Sequence, residues 1–319
     1  MQYIPTTAKI KKRKKTDSVN VLELQNVRKT YQDHVACNSI SFEVPEGKIF
    51  GLLGPNGAGK TSLIRIITTI TRADSGTILF RGEPLNNTHP SQIGYMPEER
   101  GLYKKMKVGE QITYLARLKG YSKKQAKEQL DYWLTKFDIE DWYNKNIEEL
   151  SKGMQQKIQF ICTVIHQPKL LILDEPFSGL DPVNSNLIRD EIDELHRKGT
   201  TILFSTHRME QVEQICENIV LINKGTSVLQ GTVKEVQEQF KEHLFQLDYE
   251  GVLPGDIEQH IELEREGENR IVVKLRDDEH ANNFLKYLLS HGTTIKAFNE
   301  ILPTLNEIFI KIVGGASDE

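Results

Sequence analysis

From residue 21 onward the apolar positions follow two alternating periods. Leu22 and Leu24 flank Glu23, the alternation of a half-buried strand, while Val21 and Val27 fall out of that phase. Ile40, Phe42 and Val44 share one face of a second strand over 39–44. Pro45, Glu46 and Gly47 then supply a turn. Residues 49–53 and 170–173 are short, unbroken apolar runs of the kind buried in parallel sheets. Between them the period lengthens. Ala126, Leu130, Trp133, Leu134 and Phe137 recur on one side of a helix over 122–137. Helices are also predicted over 154–166 and 182–197, the latter with Pro182 in its first turn, and a further strand over 201–204. This alternation predicts an α/β domain on a mostly parallel sheet.

The texture changes near Phe240. Strands are expected over 271–275 and 293–298, and helices over 278–290 and 303–312. The first of these helices repeats Ala281, Phe284, Leu285, Leu288 and Leu289, and the second carries Leu305, Ile308, Phe309 and Ile312. The pattern is a small α+β domain over 241–319, behind a main domain over 21–240. Charge marks the same ends. Residues 1–20 hold six bases against one acid, the composition of a solvated tail, and residues 241–319 hold eight bases against sixteen acids. The whole chain of 319 residues carries a formal charge of −4, which argues against a nucleic-acid binder. Cys37, Cys162 and Cys216 are far apart and in no metal-ligand spacing, so buried free thiols are expected. No run approaches the ~20 apolar residues that cross a bilayer, and no secretory signal follows the basic N-terminus. A cytoplasmic location is expected.

Candidate chemistry concentrates at Gly54-Pro55-Asn56-Gly57-Ala58-Gly59-Lys60-Thr61-Ser62, which satisfies G-x-x-x-x-G-K-[ST] between a strand and an apolar-rich helix start. Glycines let the backbone take left-handed angles and approach an anion without a Cβ. The loop amides and the helix dipole then favour phosphate oxygens. Lys60 would neutralise the terminal phosphates, and the Thr61 hydroxyl would ligate magnesium. The run over 170–173 ends in Asp174 and Glu175, placing two carboxylates on the sheet edge where ligands sit. Asp174 suits a magnesium contact, and Glu175 suits a base that activates water. His207 follows the strand over 201–204 on the same edge and is positioned to meet a γ-phosphate.

These residues resemble the ATP-binding subunits of ABC transporters over 21–237. Gly54 to Thr61 match Walker A, and residues 170–174 with Glu175 match Walker B. Ser178, Gly179, Leu180 and Asp181 match the D-loop, and His207 the switch histidine. Tyr31 falls where the family stacks an aromatic ring on adenine. Leu150-Ser151-Lys152-Gly153-Met154 falls where the family has its LSGGQ signature. Two departures stand out: Lys152 and Met154 replace a glycine and the glutamine, and Glu98 occupies the position of the Q-loop glutamine. With the extra C-terminal domain, they resemble the exporter branch that includes sodium and drug efflux ATPases.

The resemblance implies a P-loop ATPase with a mixed sheet core, a helical subdomain over about 98–168, and an accessory α+β domain. ATP and Mg2+ are the implied ligands. Tyr31, the loop from Gly54 to Ser62, Ser151, Gly153 and Gln155 would contact nucleotide, and Thr61, Asp174 and Glu98 the metal. Ser151 is not on the sheet edge with Lys60, so a second copy is implied, each signature closing the other copy's nucleotide. An integral membrane permease is the implied partner, with the chain peripheral on the cytoplasmic face and residues 98–121 transmitting the change. The competing class is an ABC-type ATPase with no membrane partner. A single Walker A and the absence of long coiled-coil heptads argue against its two-unit and DNA-repair forms. Asn223-Lys224-Gly225-Thr226 lacks the final acid of a guanine-specific loop.

Overall fold

The computed structural model describes residues 19–99, 101–257 and 261–314. Most of the expected basic tail over 1–20, and residues 258–260 and 315–319 of the C-terminal region, lie outside the described residues. The chain divides into two compact units. The first runs to Phe50 and adds 56–205 and 224–226; the second holds 51–55, 206–223 and 227 onward.

The first unit begins with β1 (Asn20–Tyr31) and β2 (His34–Pro45), paired antiparallel. Val21, Leu22, Leu24 and Val27 are all buried. The alternation expected from sequence admits only two of them. The register shifts on either side of Leu22 and Leu24, and Asn26 takes φ +52°, so bulges turn the out-of-phase valines inward. β3 (Ile49–Leu53) follows and is wholly buried. α1 (Lys60–Ile67) buries Leu63, Ile64, Ile66 and Ile67. β4 (Ser75–Phe80) and β5 (Glu83–Pro84) complete an antiparallel sheet in the order β2-β1-β4-β5.

Next come β6 (Ile93–Met96), α2 (Val108–Leu118), α3 (Lys123–Lys136), α4 (Lys152–Val164), β7 (Leu170–Asp174), α5 (Pro182–Arg197) and β8 (Thr201–Thr206). β6, β7 and β8 pair in parallel, with Met96 opposite Leu173 and Leu173 opposite Phe204. Their register brings the ends of three strands to one edge, so Asp174 and the loop after Met96 emerge together. Side chains set the helix boundaries. Ser122 caps α3 by accepting from the Gln125 amide, and Ser151 caps α4 by accepting from the Met154 amide. α4 therefore starts two residues before the apolar period suggests. Trp133, Phe137 and Phe160 pack together and join α3 to α4, with centroids 5.7 to 6.3 Å apart.

In the second unit the last three residues of β3 lie beside β9 (Asn218–Asn223), with β10 (Thr226–Thr232) outside β9. α6 (Met209–Ile215) precedes these strands and α7 (Val233–Gln239) follows them. A second antiparallel sheet then forms from β11 (Leu244–Glu250), β12 (Glu262–Gly267), β13 (Arg270–Lys274) and β14 (Thr294–Ile301), in the order β12-β13-β11-β14. α8 (Asp278–Ser290) buries Ala281, Phe284 and Leu288 against it, whereas Leu289 is exposed. Leu289 stands at the edge of the apolar stripe, about 140° around the helix from Phe284. α9 (Leu305–Gly314) packs on α6 and α7, and the Glu213 carboxylate of α6 accepts from the Leu305 amide at its start.

Candidate functional site

The phosphate-loop sequence bends because its glycines permit it. Gly59 takes φ +107° immediately before α1, and a Cβ there would stand 2.1 Å from the Ala36 carbonyl oxygen. Only glycine lets β2 and the loop approach so closely. The Gly225 amide donates to the Ala58 carbonyl at 2.9 Å and pins the loop from the other side. α1 then opens with no side-chain cap and no acid in its first turn. Such a helix start suits an external anion.

A cavity of about 380 Å³ forms over this loop. It is lined by Tyr31, Asn56, Gly57, Ala58, Gly59, Lys60, Thr61, Ser62, Glu98, Asp174 and Glu175, all singled out in the sequence. His34 and Ala36 join them. Nothing in the sequence marks those two; the β1–β2 turn brings them beside Tyr31. Tyr31 is 41% exposed, with the Lys29 ammonium 5.3 Å from its ring centre.

Lys60, Asp174 and Glu175 are charged groups held out of water, with the exposed Glu98 beside them. Burial pulls the Lys60 ammonium below its usual range, opposed by Glu175, Asp174 and Glu98. Burial raises the Asp174 carboxyl, opposed by the Ser205 hydroxyl, which donates to it at 2.7 Å, and by Lys60. Glu175 and Glu98 push it further up. Glu175 is buried and takes φ +49°, unusual for a residue with a side chain, while its amide donates to the Ser205 carbonyl at 2.9 Å. A strained backbone kept in place by β8 is a common feature of reaction sites. The oxygen donors Thr61, Asp174 and Glu98 on one cavity fit a hard divalent cation. Among the described residues no three acids, histidines or cysteines cage a metal by themselves. Magnesium needs no such cage, since phosphates and waters complete its shell.

Other expected site residues lie elsewhere. Ser151 and Gly153 sit at the start of α4 and do not line the cavity. The Gln155 amide donates to the Ile147 and Leu150 carbonyls at 3.1 and 3.0 Å, bracing the segment before Ser151. Gly54, Pro55 and His207 belong to the second unit; His207 is exposed directly after β8. The three cysteines are buried and free.

Parallel strands, a glycine loop opening a helix, and two acids at a strand end on the same cavity define a P-loop nucleoside triphosphatase. Comparison with known proteins narrows the class. A model of the ABC transporter family matches residues 37–178, and a model of the ATP-binding protein DrrA1-3-like C-terminal domain matches 231–313. The chain is 43% identical over 304 residues to the uncharacterized ABC transporter ATP-binding protein YhaQ of Bacillus subtilis (strain 168), covering 92% of this chain and 99% of that protein. It is 36% identical over 219 residues to the Nod factor export ATP-binding protein I of Cupriavidus metallidurans, covering 68% and 72%. A solved ATP-binding subunit of an ABC transporter superposes with a TM-score of 0.65 at 30% identity, over 69% of this chain and 93% of that one. The chain belongs to the ABC transporter ATP-binding proteins, and it is an ATPase. Its fold is the ABC ATPase fold followed by a small C-terminal α+β domain.

Proposed function

We propose that the protein drives a separate integral membrane permease, as an exporter, through ATP-dependent pairing of two copies at the cytoplasmic face of the membrane. The observation that carries this reading is the cavity that gathers the phosphate loop, Asp174, Glu98 and Glu175. In it the loop amides and Lys60 hold the phosphates, and Tyr31 stacks on the adenine. Glu175 accepts a proton from the attacking water, in line with its place beside Asp174. Thr61, Asp174 and Glu98 would hold magnesium, which when bound would neutralise charge on the terminal phosphates. Ser151 and Gly153, with Gln155 behind them, act on the nucleotide of the other copy. Their position outside their own chain's cavity supports that arrangement. His207 senses the γ-phosphate.

The permease reading is supported by α2 and its surroundings. Tyr114 and Leu118 are 42% and 65% exposed on a groove of about 620 Å³ shared with Tyr121 and Tyr143, in the segment that follows Glu98. No described helix is long and apolar enough to cross a membrane. Export is supported by the likeness to the Nod factor export ATP-binding protein I. Residues 21–240, with a helical subdomain over about 98–168, form the ATPase domain in this reading. Residues 241–319 are accessory to it, and residues 1–20 are a basic tail.

Glu175→Gln tests the reading. The variant is expected to bind Mg-ATP, to pair stably by light scattering, and to turn over about 10²- to 10⁴-fold more slowly. Wild-type turnover would remove Glu175 as the base. Purification from membranes should bring a multi-span protein with it. Its absence in gentle detergent would favour an ATPase acting without a permease.

A further inference from the structure

The buried face of α4 carries two glutamines where a packed core has no need of amides. Gln156 and Gln159 are three residues apart, hence on one side of the helix, and only 3% and 4% exposed. Each reaches a loop that bears a cavity carboxylate. The Gln156 amide nitrogen donates to the Pro176 carbonyl at 2.9 Å, one residue beyond Glu175. The Gln159 amide nitrogen donates to the Pro97 carbonyl at 2.7 Å and the Glu99 carbonyl at 3.4 Å, on both sides of Glu98. Pro97 and Pro176 have no N–H, so a carbonyl is what their backbone offers to a tether.

Chemistry separates these contacts from packing. The Gln159 side-chain oxygen is buried with no hydrogen-bond partner. A leucine or methionine would fill the site without leaving an acceptor unsatisfied. The amide is therefore disadvantageous for the core, and its gain lies in the loop it holds. The same helix begins at Ser151, with Gly153 in its first turn. At 1.5 Å rise per residue, Gln156 and Gln159 lie about 8 and about 12 Å along the axis from that end. A helix is stiff over such lengths, so a displacement at its start moves both tethers.

We propose that Gln156 and Gln159 are positioning residues: one face of α4 holds Glu175 and Glu98 through the carbonyls beside them, and so ties the chain's own reaction site to the Ser151 end of the same helix. The proposal rests on the roles given above to Glu98 and Glu175. It predicts that the two tethers separate by function. Gln159 governs the metal-side carboxylate, and Gln156 governs the base.

The test compares Gln156→Met and Gln159→Met, which keep volume and remove the amide. In the nucleotide-free protein, hydrogen exchange read by mass spectrometry should quicken about tenfold in the 93–99 peptide for Gln159→Met, and in the 174–181 peptide for Gln156→Met, each leaving the other peptide unchanged. In steady-state ATP hydrolysis, Gln159→Met should raise the magnesium concentration for half-maximal rate about five- to tenfold. Gln156→Met should lower kcat about tenfold with that concentration and the KM for ATP unchanged. Wild-type exchange in both peptides, or equal effects of both variants on both peptides, overturns the proposal. A wild-type protein without ATPase activity overturns the roles of Glu98 and Glu175 instead, and the exchange data still decide whether the tethers exist. Should a methionine variant melt below the assay temperature, Gln156→Asn and Gln159→Asn shorten the reach and should shift the same peptide in the same direction.

Discussion

Replacing Gly59 by alanine probes the fit between the phosphate loop and the sheet that supports it. The added Cβ would lie 2.1 Å from the Ala36 carbonyl oxygen and 3.3 Å from its carbon, and the backbone would have to keep φ +107°. Holding an L-residue at such an angle costs about 1–3 kcal/mol. The overlap cannot be relieved by a rotamer change, because Ala36 is main chain between Val35 and Cys37, both paired with β1. Relieving it through backbone shifts costs about 1–3 kcal/mol more. The sum, about 4 kcal/mol, corresponds to a fall in Tm of roughly 8–16 °C for a domain of this size. Gly57 is the control. It takes φ +79°, but a Cβ there meets nothing within 4 Å, so Gly57→Ala carries only the conformational cost, about 1–2 kcal/mol. Thermal unfolding without nucleotide, followed by calorimetric titration with Mg-ATP, separates the two. Gly59→Ala should melt well below Gly57→Ala and bind ATP at least tenfold more weakly than wild type. Equal melting of the two variants, or wild-type ATP affinity for Gly59→Ala, refutes the reasoning.

Three further expectations use other parts of the molecule. Glu98→Gln should change the magnesium concentration at half-maximal hydrolysis about tenfold, since an acid on the cavity becomes neutral; identical magnesium dependence would take Glu98 out of the metal shell. Burial, with Lys119 nearby, holds the His166 imidazole down at about 4, and its Nε2 lies 3.2 Å from the Ile93 carbonyl. Below about 6.5 the unfolded chain gains a proton that the folded chain refuses, so this contribution is intact above about 6.5 and is lost toward pH 4, by about 3 kcal/mol. Chemical denaturation between pH 7 and 4.5 should show that slope, and His166→Gln should flatten it. Burial pushes the Cys37 and Cys162 thiols up to about 11 and about 12, and Cys216 up as well. Iodoacetamide at pH 8 should therefore label the native protein far more slowly than the denatured one, and rapid native labelling of three thiols would contradict their burial.

Much of the candidate site is legible in the chain itself because its residues are local in sequence. Gly59, Lys60 and Thr61 are neighbours in a loop that follows the run over 49–53, and Asp174 and Glu175 directly end the apolar run over 170–173. Glu98 and Tyr31 become legible through family resemblance, since nothing in their own surroundings marks them. His34 and Ala36 escape sequence reasoning because a strand turn, not a motif, carries them to the cavity. The burial of Val21 and Val27 escapes alternation because bulges change the phase.

What the sequence determined alone is the phosphate-loop motif, the carboxylates after β7 and the elements with a regular apolar period, such as β3, β7, α3 and α5; β4 to β6, α2, α6, α7 and β9 to β12 came only with the structure. The former depend on side-chain period and on backbone angles set by single residues. What only the tertiary structure decided is which separated residues meet. The parallel register of β6, β7 and β8 sets the loop after Met96 beside Asp174. The face of α4 turns two unremarkable glutamines toward Pro97 and Pro176. The physical reason is that pairing and packing act between segments far apart in the chain, as Gln159 and Pro97 are. No local period records which carbonyl a buried amide will find.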